Sequence, residues 1–188
     1  MILHINFGNV KLKIKIKRIN KNLSLPEVID KGDWVDLRAA ETVHLNAPQA
    51  NTLKRYKVNG KEENHRNVEF DSKLIGLGVA IQLPAGFEAV ALSRSSGYKN
   101  FGIILANSEG VIDQPYCGDN DEWKFNAIAL RDTTISEGDR ICQFRIQLSQ
   151  KATIWQKLKW LFSSGIQIVE VDKLDGPNRG GIGTTGLK

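Results

Sequence analysis

Residues 92–119 read LSRSSGYKNFGIILANSEGVIDQPYCGD, and the fold follows from how this stretch is punctuated. An Arg-Ser-Ser-Gly turn precedes a short apolar run at 101–106. A second short run, Gly110-Val111-Ile112, ends on Asp113, with Tyr116 and Gly118 close behind. Brief apolar runs separated by turn residues are the signature of strands joined by tight connections. Asp113 then sits at a strand end before a hairpin, where a carboxylate can orient a water. Arg94, Ser95, Ser96 and the Gly97 amide can grip an anion, because a guanidinium forks onto phosphate oxygens and turn amides point into them.

The same grammar extends in both directions. Strands are expected at 34–40, at 74–90 as two strands joined by Leu83-Pro84-Ala85-Gly86, and at 101–106, 124–130, 140–148 and 167–171. No strand-helix-strand alternation occurs, so the expected class is mainly β, an antiparallel jelly-roll-like barrel. Near the start, Lys11, Lys13, Lys15, Lys17 and Arg18 alternate with Leu12, Ile14 and Ile16, a strand with one face in water. That lysine face reads as solvated rather than as a nucleic-acid patch, because no aromatics interleave it. Residues 1–9 read as an optional start or an edge strand. Residues 47–73 are polar, and Asn59-Gly60 offers a hairpin turn or a mobile loop. One short helix is expected at 154–162, where Trp155, Leu158, Leu161 and Phe162 share a face, packed on the core or on a neighbouring subunit rather than on a membrane.

With 188 residues, 41% of them hydrophobic, the chain can bury one good core. A single domain over 1–172 is expected, followed by a flexible arm at 173–188 that is rich in glycine and lacks apolar periodicity. Cys117 and Cys142 are too few for a disulfide framework, which suits a cytoplasmic protein with reduced thiols. His4, His44 and His65 have no ligand spacing, so zinc is not expected. No apolar run reaches the length of a membrane span. The net charge of +5 suits a polyanionic ligand.

Five segments, GDWVDLRAA (32–40), SRSSG (93–97), NSEGVIDQPYCG (107–118), GDRICQ (138–143) and RGGIGTTG (179–186), resemble in order the five motifs of the trimeric dUTPase family, in a Gram-positive bacterial or phage-like variant with insertions at 47–73 and 151–165. Each motif alone would be weak; five in order across nearly the whole chain are specific. The resemblance implies a homotrimer with sites at subunit junctions, the arm donated across, and hydrolysis of dUTP to dUMP and pyrophosphate with Mg²⁺ bridging the phosphates. It makes Asp113 the base, Tyr116 the residue that packs on deoxyribose, and Asn107, Gly110 and Ile112 part of the uracil pocket. Phosphate contacts fall to Arg94, Ser95, Ser96, Gly97, Gln143, Arg179, Thr184 and Thr185, and Asp36 is associated with the hydrated metal.

Several positions keep two readings. Asp36 is either that metal-side carboxylate or a turn-capping acid. Arg140 is a site residue or an ion-pair residue. Trp123 is a lid over uracil or a core tryptophan. The question arises because Ile182 stands where many relatives stack a phenylalanine. Asp119, Asp121 and Glu122 read as a solvated acidic loop. Two other functions remain open: a dCTP deaminase of the same superfamily, against which Tyr116 and the glycine-rich tail speak, and a nucleotide-binding regulatory protein meeting a partner through the insertions.

Overall fold

Strand β1 (Leu12–Arg18) buries Leu12, Ile14 and Ile16 completely, as a strand of period two must when one face is covered. Its other face is only partly solvated. Lys11 and Lys13 are exposed, but Lys15 pairs with Asp175, Lys17 with Asp119 at 3.2 Å and Arg18 with Glu170 at 2.7 Å. The computed structural model describes residues 10–29, 32–50, 54–65 and 67–180; residues 1–9 lie outside them.

After β1 come β2 (Val35–Arg38), β3 (Val43–Leu45), β4 (Gln49–Ala50), β5 (Lys54–Val58), β6 (Lys61–His65) and β7 (Val68–Glu69). The long β8 (Ser72–Gln82) and β9 (Phe87–Ser93) follow, then helix α1 (Gly97–Phe101), β10 (Ile103–Leu105) and β11 (Gly110–Ile112). The chain ends with β12 (Glu122–Ala129), β13 (Thr133–Ile135), β14 (Arg140–Leu148), helix α2 (Ile154–Leu161) and β15 (Ile166–Glu170). The architecture is mainly β. One sheet runs β10-β12-β8-β1-β15 and a second β11-β9-β14-β2. Their inner faces form one core, in which Trp123 of β12 meets Phe144 of β14 edge-on at 5.0 Å.

Three expectations are corrected. The sheets do not close into one ring among the described residues: each keeps edge strands. Nor is the pairing wholly antiparallel, because β15 lies parallel to β1 with Leu12 opposite Ile166; a parallel partner cannot come from a tight hairpin, and these two strands are separated by the rest of the described fold. Finally, the described residues hold two helices rather than one. The short α1 ends on Gly102, whose φ of 64° is a left-handed stop.

Helix α2 is held by a capping box between Thr153 and Gln156. Trp160 lies 5.3 Å from Phe87, while Ile154, Trp155 and Leu161 face outward, so the helix rests on the sheet by one edge. The expected hairpin at 59–60 is present. Asn59 and Gly60 have φ values of 52° and 79°, joining β5 to β6. No helix among the described residues is long and apolar enough to cross a membrane.

Candidate active site

Strand β11 pairs with β9 through Gly110 opposite Ala91 and Ile112 opposite Ala89. A Cβ on Gly110 would come 3.3 Å from the Ala91 carbonyl oxygen and 4.0 Å from Asn107 Nδ2, so glycine leaves bare backbone beside Asn107. The Asn107 amide donates to the Glu109 carbonyl at 3.1 Å, fixing the turn that leads into the strand. Past Ile112 the chain turns, the Tyr116 amide donating to the Asp113 carbonyl at 2.9 Å. The Tyr116 hydroxyl donates to the Glu122 carbonyl at 2.9 Å. Burial, then Asp121 and Glu122, pushes its phenol above the usual range. The Asp113 side chain stays 57% exposed.

These residues share a cleft of about 400 Å³. Asn107, Gly110, Ile112, Asp113, Tyr116 and Arg179 all line it, with Leu74, Trp123, Phe125 and Cys142 contributing apolar wall. Trp123 is 1% exposed, so it belongs to the core and forms wall rather than lid. Its Nε1 finds no partner among the described residues. Arg179 Nη1 lies 3.3 Å from Asp113 Oδ2, so the two form an ion pair at the mouth of the cleft.

The remaining predicted residues gather elsewhere. None of Asp36, Arg94, Ser95, Ser96, Gly97 or Gln143 lines that cleft. Gln143 on β14 is in register with Leu92 and with Asp36. The buried Asp36 carboxylate accepts from Arg94 Nε at 2.9 Å and from Arg140 Nη1 at 3.0 Å. Both its oxygens are engaged, one by each arginine, so Arg94 and Arg140 share Asp36 as an ion-pair partner. The Gly97 amide is also committed, donating to the Arg94 carbonyl at 2.9 Å, so it does not point at an anion as expected. Ile182, Thr184 and Thr185 lie outside the described residues.

The acidic loop departs most from the sequence reading. Asp121 is 1% exposed and accepts amides from Gly118 at 2.8 Å, Arg179 at 2.9 Å and Gly180 at 3.2 Å. Asp119 accepts from Leu174 at 2.8 Å, and Glu122 from Gly78 at 3.0 Å. Residues 174–180 therefore run along 117–121 of their own chain, and the rest of the arm lies outside the described residues. Burial of an acid that serves backbone amides leaves no sequence signal beyond glycines spaced to permit close approach. Gly118 and Gly176, which bridge each other, are that trace.

No protein-family model matches the chain. It is 44% identical over 177 residues to the SPbeta prophage-derived deoxyuridine 5'-triphosphate nucleotidohydrolase of Bacillus subtilis strain 168, covering 94% of this chain and 100% of that one. It is 27% identical over 179 residues to the deoxyuridine 5'-triphosphate nucleotidohydrolase of Helicobacter pylori strain P12, covering 94% and 98%. Among solved structures, a dUTPase from Streptococcus mutans superposes with a TM-score of 0.55 at 19% identity, over 74% of this chain and 98% of that chain. A dUTPase from phage phi11 of S. aureus, described with a structural Mg(II) ion, gives 0.54 at 18% identity, over 75% and 94%. Similarity at this level along almost the full length of the prophage enzyme, with Asp113, Tyr116 and Arg179 on one cleft, decides the matter: the chain belongs to the deoxyuridine 5'-triphosphate nucleotidohydrolase (dUTPase) family.

Proposed function

We propose that this chain hydrolyses dUTP to dUMP and pyrophosphate in the cleft beside Asp113. The carrying observation is that Asn107, Gly110, Ile112, Asp113, Tyr116 and Arg179 converge on that one cleft. Uracil enters against the bare Gly110 backbone and Asn107, where buried hydrogen-bonding groups accept uracil and reject cytosine, whose donor and acceptor are exchanged. The Tyr116 ring, tethered through its hydroxyl to Glu122, packs on deoxyribose and leaves no room for a 2′-hydroxyl.

Asp113 takes a proton from a water that attacks the α-phosphorus. The bond from that phosphorus to the α–β bridging oxygen breaks, and the electron pair leaves with pyrophosphate. Arg179 gives up its ion pair with Asp113 to meet the terminal phosphates, which uncovers the base only when substrate supplies a better anion. Arg94, Ser95, Ser96 and Gln143 complete the phosphate contacts from a neighbouring copy of a jelly-roll homotrimer. That none of them lines the cleft within one chain supports that assembly. Thr184 and Thr185 follow Arg179 in the same role. Asp36 acts through Arg94, holding its guanidinium from behind.

Mg²⁺ fits this site as an ion carried on phosphate oxygens and water. Among the described residues no cluster of three His, Cys, Asp or Glu is poised to hold a cation, and Asp36 is occupied by arginines. When bound, the ion supplies charge neutralisation for the departing pyrophosphate. Two buried free cysteines accord with a cytoplasmic enzyme whose thiols stay reduced. The test is pyrophosphate release from dUTP with Mg²⁺, with UTP alongside. Efficient release from dUTP alone is expected; no release, or equal release from UTP, overturns the reading.

A further inference from the structure

Helix α2 carries its apolar residues on the side turned away from the sheet. At 3.6 residues per turn, Ile154, Trp155, Leu158 and Leu161 share about a third of its circumference, Lys157 and Lys159 stand at the two borders, and Gln156 and Trp160 occupy the opposite side. Those last two meet the sheet: Gln156 lies over Gly86, and Trp160 sits against Phe87. Ile154 is 63% exposed, Trp155 77% and Leu161 71%. The stripe that helical spacing marks out for packing thus faces away from the chain's own core.

Its surroundings are basic. Residues 149–165 hold Lys151, Lys157 and Lys159 and no acid. Past the end of the helix the Ser164 amide donates to the Val10 carbonyl at 3.0 Å and the Leu12 amide to the Gly165 carbonyl at 2.9 Å, which brings the exposed Lys11 alongside. No ion pair among the described residues engages any of these four lysines.

We propose that this face of α2 docks the protein on an anionic lipid surface, with the helix lying in the plane of the headgroups. The proposal goes beyond dUTP hydrolysis and does not depend on it. Charge selects the occupant. A second copy of α2 would set lysine against lysine, and a protein groove would have to place carboxylates along both borders of the stripe and at both its ends. A plane of anionic headgroups meets every one of these charges at once. Ile154, Leu158 and Leu161 then enter the acyl boundary, Trp155 rests at its edge, and the lysine stems extend along the apolar surface with their amines among the phosphates. Four side chains bury little area, so the docking is reversible and weakened by salt.

Flotation of the full chain with lipid vesicles tests this. Vesicles of phosphatidylcholine with about one third phosphatidylglycerol should carry the protein upward roughly tenfold more than phosphatidylcholine alone, and raised salt should release it. Trp155→Ser and Leu161→Ser, both at exposed positions, should each cut the floated fraction several-fold while thermal unfolding and dUTP turnover stay at the parental values. Lys157→Gln with Lys159→Gln should abolish the preference for the anionic vesicles. No flotation with either vesicle overturns the proposal and leaves the stripe to a neighbouring copy or an acid-rimmed protein groove. Flotation that both serine variants retain in full overturns it too, since the lysines alone would then account for binding. Loss of dUTP turnover in the wild-type chain would sink the hydrolytic reading without touching the vesicle result.

Discussion

Asp113 and Asp36 are both carboxylates beside arginines, yet their surroundings assign them opposite work. Asp113 is exposed, pairs with Arg179 at 3.3 Å and faces a cleft, so a water can reach it once Arg179 turns to phosphate. Asp113→Asn should reduce kcat by roughly 10²- to 10⁴-fold, the usual share of a general base, with affinity for a non-hydrolysable dUTP analogue nearly unchanged. Pyrophosphate release and calorimetric titration measure the two quantities, and a variant turning over at the parental rate would remove Asp113 from the mechanism. Asp36 is buried with both oxygens on arginines. Asp36→Ala should therefore lower stability by about 3 kcal/mol, because it leaves cations without a counter-charge, and should reduce turnover through a misplaced Arg94. Denaturant unfolding reads the first effect, and retention of wild-type stability would show that the pair carries no net energy.

At the scale of elements, Gly86 and Gly60 make a controlled pair. Both have a left-handed φ, 85° and 79°, but a Cβ on Gly86 would lie 2.4 Å from the Gln156 side chain whereas Gly60 has open space. Alanine at either position should cost about 1–2 kcal/mol of backbone strain. Gly86→Ala should cost measurably more in thermal unfolding, since it also pushes Gln156 out of the box that caps α2. Equal losses would mean that Gln156 simply moves aside.

The arm has its own acid response. The Leu174 amide, then Lys17, holds Asp119 below its ordinary value of 3.8, and Lys15 does the same for Asp175. A carboxylate depressed by folding contributes stability above its unfolded pKa and loses it as pH falls through the folded value. Protection of the Leu174 amide against hydrogen exchange, corrected for the intrinsic rate, should be flat from pH 8 to about 5 and fall below about pH 4. Loss of protection already near neutrality would assign the hold to other groups.

How far these elements were legible depended on period and neighbourhood. Strand β14 was expected at 140–148 and is found there, and α2 differs from its expected span by one residue, because alternation and helical spacing are local signals. On the cleft side, Asn107, Asp113 and Tyr116 line one cleft, as expected of residues from a single motif, and Arg179 joins them from the same chain. The parallel β1–β15 pair was not, since nothing in either strand's composition states its direction. The burial of Asp121 escaped for a similar reason: its donors are backbone amides of residues 179 and 180, distant in sequence and without side-chain identity. Lys15 and Lys17 looked solvated because their acidic partners lie at the far end of the chain.

For the whole molecule, Arg94, Ser95 and Gln143 do not line the Asp113 cleft, and on the proposed reading a neighbouring copy brings them to the substrate. Light scattering during gel filtration should return three times the 21.0 kDa chain mass, and dilution that dissociates the assembly should abolish pyrophosphate release. A fully active monomer would mean that one chain closes the gap by itself.

The pairing of Leu12 with Ile166 couples the first described strand to the last. During synthesis β1 can meet β8 early, yet its outer hydrogen-bonding edge stays open until β15 has followed it from the ribosome. Until β15 is made the nascent chain presents a bare strand margin, and the charges of Lys11 and Lys13 along it discourage another unfinished chain from adding itself there.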